Sequence, residues 1–450
     1  MDKTDRMSMM AELPVPQVLI KMSLPMMLSF FIQAMYNIVD SIFVARISEN
    51  AFTAVSLAFP MQQIVTAIAV GTSTGVSAVW SRYMGMEKRD RASAAIRTMT
   101  SMSLMFCALF IVLGIWASGP VFSFQTDVEE IAQLGAVYLS INWIFSCGTI
   151  FGKYYERLLV SAGRAELSMA AMASGAIFNL IFDPILIFGL GPVPAMGIAG
   201  AAYATIGGQI LAVFVAMALN MRYNSTVRKD LLRLGFAADV AGDIFRVGLP
   251  SIITMGLSSL TSFFINQILL AYSTTATAVY GIWMKLQNFC FMPIFGLNNG
   301  MVPILSYNYG TGRRDRVKEA MRIALTGCAA LMCLLLIVLE LAPGVILTLF
   351  SAGEQMRDIG MVCLRACVIS LPFAAVSMIL STSMQALDHS RYAMLINMMR
   401  QCALLVVSFL GISMLTHSQK LIWLAVPVTE LITFLVSLRL YSLFRRHLDV

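Results

Sequence analysis

Long apolar runs separated by short, mostly basic stretches recur along the whole chain. Each run approaches or exceeds the ~20 residues a helix needs to cross a bilayer. None shows the short two-residue alternation of a membrane β-strand. The pattern predicts an all-α membrane protein with twelve transmembrane helices. They fall at roughly 22–45, 52–79, 97–117, 131–152, 166–190, 197–221, 246–271, 276–305, 322–345, 362–385, 392–416 and 421–443. Helices are expected because a lipid-exposed backbone must satisfy its polar groups within its own segment.

An internal repeat organises the twelve. Residues 81–97 (SRYMGMEKRDRASAAIR) match residues 306–322 (SYNYGTGRRDRVKEAMR) at an offset of 225. The same offset brings Leu24-Pro25 onto Leu249-Pro250, Gln62 onto Gln287, Gly71 onto Gly296, Gly75 onto Gly300 and Gly135 onto Gly360. The chain therefore divides into an N-terminal six-helix bundle (1–221), a cytoplasmic linker (222–245) and a C-terminal six-helix bundle (246–450). Six is an even number, so both pseudo-symmetric halves enter the membrane the same way up. They are parallel repeats about an axis along the membrane normal. A cavity between the bundles, open to either side in turn, is the expected consequence.

Composition and charge agree. The chain is 58% hydrophobic and 12% charged, with a mean hydropathy of +0.79, whereas a soluble domain is about 25% charged. With the termini on the cytoplasmic side, the inner loops, helix ends and tails hold 25 Lys and Arg and the outer loops three, which fixes orientation in the cell membrane. The net charge of +7 follows from that bias and does not imply nucleic acid. Asp2, Lys3, Asp5, Arg6 and Glu12 precede a first run too long for a signal h-region, so no cleavable signal is expected. The paired KRDR and RRDR loops read as solvated turns that anchor orientation and touch anionic headgroups, in preference to a phosphate site. The eight cysteines lie in apolar stretches without a CxxC, and Cys363 and Cys367 read as small buried hydrophobes. His389, His417 and His447 sit at helix ends or in loops, and no HExxH or nucleophile pattern occurs, so no enzyme is expected. No selectivity-filter motif or ring of like charges marks a channel.

Polar residues inside the spans carry the functional reading. The first span holds Gln33 and Asn37 on one helix face and Tyr36 and Asp40 likewise, four residues apart. A carboxylate near the bilayer centre costs on the order of 3 kcal/mol, so it marks a pathway or relay, unless Asp40 lies near the helix end and reaches water. In the fifth span Asn179 and Asp183 share a face, and Pro184 removes the usual partner of the Leu180 carbonyl. That is either a proton or hard-cation site or a proline kink with a satisfied Asp. Tyr203, Thr205 and Gln209 follow in the sixth span among small residues that let helices approach. Under the repeat, Asp40 maps to Ile265 and Asp183 to Ser408, so ion coupling is expected in the first bundle alone. If they face each other, the two acids should titrate as a coupled pair. In the second bundle Lys285, beside Gln287 and Asn288, either lines the cavity or snorkels to an interface. Arg400 and Glu430 have the option of pairing with each other. The 33 Met and 27 Phe residues suit either an adaptable lipophilic cavity or plain lipid-facing packing.

Over essentially its whole length the chain resembles the multidrug and toxic compound extrusion (MATE) transporters. The resemblance rests on the two six-helix halves, the N-x-x-D of Asn37 and Asp40, the repeated Leu-Pro, the Gly-rich second and eighth spans, and Asn179-x-x-x-Asp183-Pro184. The MepA-like and DinF-like subgroups are the most similar. The resemblance implies secondary active antiport, exporting organic, often cationic, drugs or toxic compounds in exchange for H+ or Na+, with no other cofactor. It places Tyr36, Asp40, Asn179, Asp183 and Thr205 around a cation-coupling site, with Na+, if used, at Asp40, Asn179 and Asp183. Gln33, Asn37, Gln209, Lys285 and Gln287 become substrate-cavity candidates, and Pro25 and Pro184 helix bends. NorM-like members carry further acids on spans seven and ten; these spans have none here, so a second-bundle Na+ site is not expected. Small molecules and membrane lipid are the expected partners, and the protein is expected to act as a monomer. A lipid-linked oligosaccharide flippase of the same superfamily is the alternative, disfavoured by the few intramembrane bases.

Overall fold

The computed structural model describes residues 8–190, 193–341, 343–349 and 354–448. The charged residues Asp2, Lys3, Asp5 and Arg6 and both chain ends lie outside the described residues. The membrane-spanning helices are α1 (Val15–Ala45), α2 (Glu49–Gly85), α3 (Arg89–Trp116), α4 (Glu129–Ile144), α5 (Cys147–Ser161), α6 (Ala165–Phe188), α7 (Ile198–Tyr223) and α8 (Ala238–Leu270). They continue with α9 (Thr274–Gly310), α10 (Arg314–Leu341), α11 (Glu354–Val368), α12 (Leu371–Ala386), α13 (Ser390–Thr416, with a π-helical turn over Met399–Ala403) and α14 (Ala425–Leu448).

Among the described residues ten helices are long and apolar enough to cross a membrane, and twelve spans result when each of two bent pairs counts once. The bends are a departure from the sequence expectation of unbroken spans at 131–152 and 362–385. Helices α4 and α5 meet at 43°, and α11 and α12 at 45°. The fourth span also runs on to Ser161, so Lys153, Glu156 and Arg157 lie on a helix and not in the expected inner loop.

Element boundaries obey the repeat. Helices α2 and α9 each have 37 residues, start at 49 and 274, and end on Gly85 and Gly310. Helices α3 and α10 each have 28 residues and start at 89 and 314. The Ser48 hydroxyl starts α2 by accepting the Ala51 amide at 3.0 Å. Pro25, Pro60, Pro184 and Pro250 sit inside helices without ending them. Membrane helices tolerate this where neighbouring groups satisfy the freed backbone.

The chain packs as two compact units. One comprises the residues up to 252 together with 299–312, and the other 253–298 together with 313 onward. The first has a core of Phe110, Phe122, Tyr138, Leu139, Trp143 and Ile150 beside α2 and α7 residues such as Ala54 and Ala202. Within it the segment after α7 is fastened to α3. Arg97 pairs with Asp230 at 3.3 Å, Ser101 donates to the Gly235 carbonyl at 3.1 Å, and the Ala237 amide donates to Thr98 at 3.1 Å. The second unit is held by contacts such as Phe373–Phe434, with ring centres 5.4 Å apart. It also buries the Arg400–Glu430 pair, in which Arg400 Nε meets both carboxylate oxygens at 2.8 and 3.1 Å. Cys363 and Cys367 are buried with their sulfurs 4.0 Å apart as free thiols.

Candidate functional site: an acidic cluster in the first unit

Two glycines set up the site. Gly175 on α6 and Gly208 on α7 touch backbone to backbone: a Cβ at Gly175 would lie 2.6 Å from the Gly208 carbonyl, and the reverse holds for Gly208. Close approach of this kind is the use of small residues between membrane helices. One turn further along α6, Asn179 is thereby brought against Thr205 of α7. Its amide donates to Thr205 Oγ1 at 3.3 Å and to Asp183 Oδ1 at 3.1 Å. Asn179 and Asp183 are buried.

Asp40 arrives from α1, which packs along α6. The Asp40 and Asp183 carboxyl groups are neighbours, each in the electrostatic field of the other. A contact between two acceptors is attractive only when a proton or cation is shared between them. Asp40 Oδ1, Asp183 Oδ2 and Asn179 Oδ1 are all buried without a hydrogen-bond partner. Unpartnered buried oxygens are costly, and carboxylate and amide oxygens are the donor type that a proton or a small hard cation takes. Asp40 as a whole is half-buried, with its Oδ1 shielded from solvent.

Tyr36 sits one turn before Asp40. Its hydroxyl stands in the electrostatic field of Asp40 and, after it, of Glu156 and Asp183. Gln209 of α7 accepts from Thr149 of α5 at 2.8 Å. Asn37 is exposed. Lys285 is exposed and Gln287 half-buried, both on the second unit. Pro25 and Pro184 lie within helices, and the Ser29 hydroxyl donates to the Pro25 carbonyl at 2.9 Å.

Sequence reasoning missed several members. Tyr138 on α4 is buried, in the electrostatic field of Asp40 and Asp183, and its backbone carbonyl accepts from the Asn142 amide at 2.8 Å. Lys153 and Glu156 form an ion pair at 3.2 Å on α5. The available signal was their spacing of three, which places them on one helix face.

A family model, MatE, matches the chain twice, over residues 25–185 and 250–410. The two matches start 225 residues apart, the offset of the internal repeat. The chain belongs to the MATE family. This is a family of multi-pass membrane transporters and not of enzymes. Among similar proteins is a FAD transporter from Shewanella oneidensis, 25% identical and covering 96% of this chain and 95% of its own. Multidrug export protein MepA from Staphylococcus haemolyticus is 23% identical, covering 99% of this chain and 97% of its own. Among solved structures, a multidrug resistance MATE transporter of the MOP superfamily in an outward-facing conformation has the same fold. Its TM-score is 0.91, at 22% identity and full coverage of both chains.

Proposed function

We propose that this MATE protein is a secondary antiporter that exports organic, often cationic, compounds in exchange for H+ or Na+. The observation that carries the reading is the trio of buried, partnerless oxygens on Asp40, Asp183 and Asn179. Asp40 and Asp183 bind the coupling ion, and Tyr36, Asn179 and Thr205 support them. Ion binding from outside neutralises the acidic pair, which removes the cost of charge in an apolar helix packing. The helices then rearrange and substrate leaves outward. The bundles 1–221 and 246–450, joined by 222–245, alternate their access in a protein that works as a monomer with both termini in the cytoplasm.

The test uses purified protein in liposomes loaded with ethidium, under an imposed pH or Na+ gradient. Wild type should transport and Asp40→Asn should not, at equal expression. Undiminished transport by Asp40→Asn would refute the role assigned to Asp40. A second substrate reading, a flavin nucleotide, is favoured by the FAD transporter relative. Liposomes loaded with FAD under the same gradients decide between the two cargoes.

A further inference from the structure

The α9 segment from Asn299 onward belongs to the first unit, and its seat there combines two kinds of contact. One kind follows the repeat. Gly85 abuts the Tyr307 carbonyl, and its repeat mate Gly310 abuts the Arg82 carbonyl, where Arg82 and Tyr307 are themselves mates. Gly300 lies on the backbone of Met22 in α1. The other contact has no counterpart. Arg157 of α5 donates from Nη1 to the Asn299 carbonyl at 3.3 Å and from Nη2 to Thr74 Oγ1 at 3.2 Å. The repeat mate of Arg157 is Thr382.

The chemistry of that contact follows from sequence. An α-helical carbonyl is normally taken by the amide four residues on, and four residues after Asn299 stands Pro303. Proline has no amide hydrogen, so this carbonyl is offered sideways, and the guanidinium takes it. Both acceptors of Arg157 are neutral. The adjacent carboxylate of Glu156 is engaged by Lys153 at 3.2 Å. A guanidinium held by a hydroxyl and a carbonyl is fastened firmly yet releasably, unlike one locked to a buried carboxylate. Glu156, next along α5, also lies in the field that reaches Tyr36 of the acidic cluster. One short helix thus carries both Glu156, whose charge is felt at Tyr36, and Arg157, which holds the seat of α9.

We propose that Arg157 is a positioning residue, a latch that holds the α9 segment after Asn299 closed against α2 and α5 on the basic-loop side of the membrane. Its release accompanies opening to that side, a step that rests on the antiport reading above. The latch is read by the reactivity of a buried reporter. Ser306 is fully buried in the seated segment, and Ser103 of α3 is fully buried away from it. In full-length protein in lipid nanodiscs, Ser306→Cys and Ser103→Cys are alkylated with a water-soluble maleimide, and each site is followed by peptide mass mapping.

Arg157→Met should raise the Ser306→Cys rate roughly tenfold or more, the size expected for losing charged hydrogen bonds. The Ser103→Cys rate should stay unchanged. Arg157→Lys, which keeps a charge and donors on a similar stem, should fall in between. Unchanged reactivity at 306, or an equal rise at both reporters, would overturn the latch. Equal effects of Lys and Met would overturn it too, because lost packing would then suffice. The readout needs no transport. A wild type that moves no cargo yet shows the selective rise would sink the antiport reading and leave the latch standing.

Discussion

Gly85 and Gly310 occupy equivalent positions in the two repeats, and each lies against the backbone of the other's helix. The contact is symmetric and has no room for a methyl group. Gly310→Ala should therefore push α9 away from α2 and cost about 1–3 kcal/mol, the usual range for overpacking. Gly242, with open space around its missing Cβ, is the control. Thermal unfolding followed by fluorescence-detected gel filtration should show a lower midpoint for Gly310→Ala and no loss for Gly242→Ala.

Thr205 supplies the acceptor that orients the Asn179 amide at 3.3 Å. Thr205→Val removes it at nearly constant volume. Loss of one hydrogen bond, about 1 kcal/mol, corresponds to roughly fivefold weaker ion binding. Transport should fall at a shallow gradient and recover at a steep one, while Thr205→Ser should behave as wild type. Initial rates in liposomes across a series of gradients check this.

The glycine pair that sets Asn179 beside Thr205 makes a separate claim. Gly175→Ala places a methyl group 2.6 Å from the Gly208 carbonyl, so α6 and α7 must part. Transport should be lost along with the Asn179–Thr205 contact, and Thr205→Val should then add little further loss. Independent, additive losses in the double variant would refute the geometric link.

Arg400 and Glu430 are both buried, and each is the other's charge partner. Removing either alone leaves an uncompensated charge in an apolar setting, at a cost of about 3–5 kcal/mol. Arg400→Met or Glu430→Met should each destabilise the protein strongly. The double variant should recover most of the loss, because the surviving charge is gone. A thermal double-mutant cycle measures the coupling.

Much of this architecture is legible from the chain. Apolar runs and the 225-residue repeat anticipate α2 and α3 as copies of α9 and α10, and the elements start in that register. The fourth span runs longer than expected because Lys153, Glu156 and Arg157 look like the end of a span. In the fold Lys153 and Glu156 neutralise each other and Arg157 binds neutral oxygens, so the charges stay inside the helix. Tyr138 escaped notice because hydropathy counts its ring and not its hydroxyl. The Arg157 acceptor was the least visible of all, since a backbone carbonyl 142 residues away leaves no mark on side-chain patterns.

The two repeats match in helix length and glycine placement, yet Asp40, Arg157 and Asp183 correspond to Ile265, Thr382 and Ser408 in the second copy. A duplication that kept its scaffold has thus divided its labour. On the proposed antiport reading, one copy holds the ion chemistry and the other is released from it. Heritable changes in which compounds are exported should then gather in the second copy, where drift leaves the proposed coupling residues untouched.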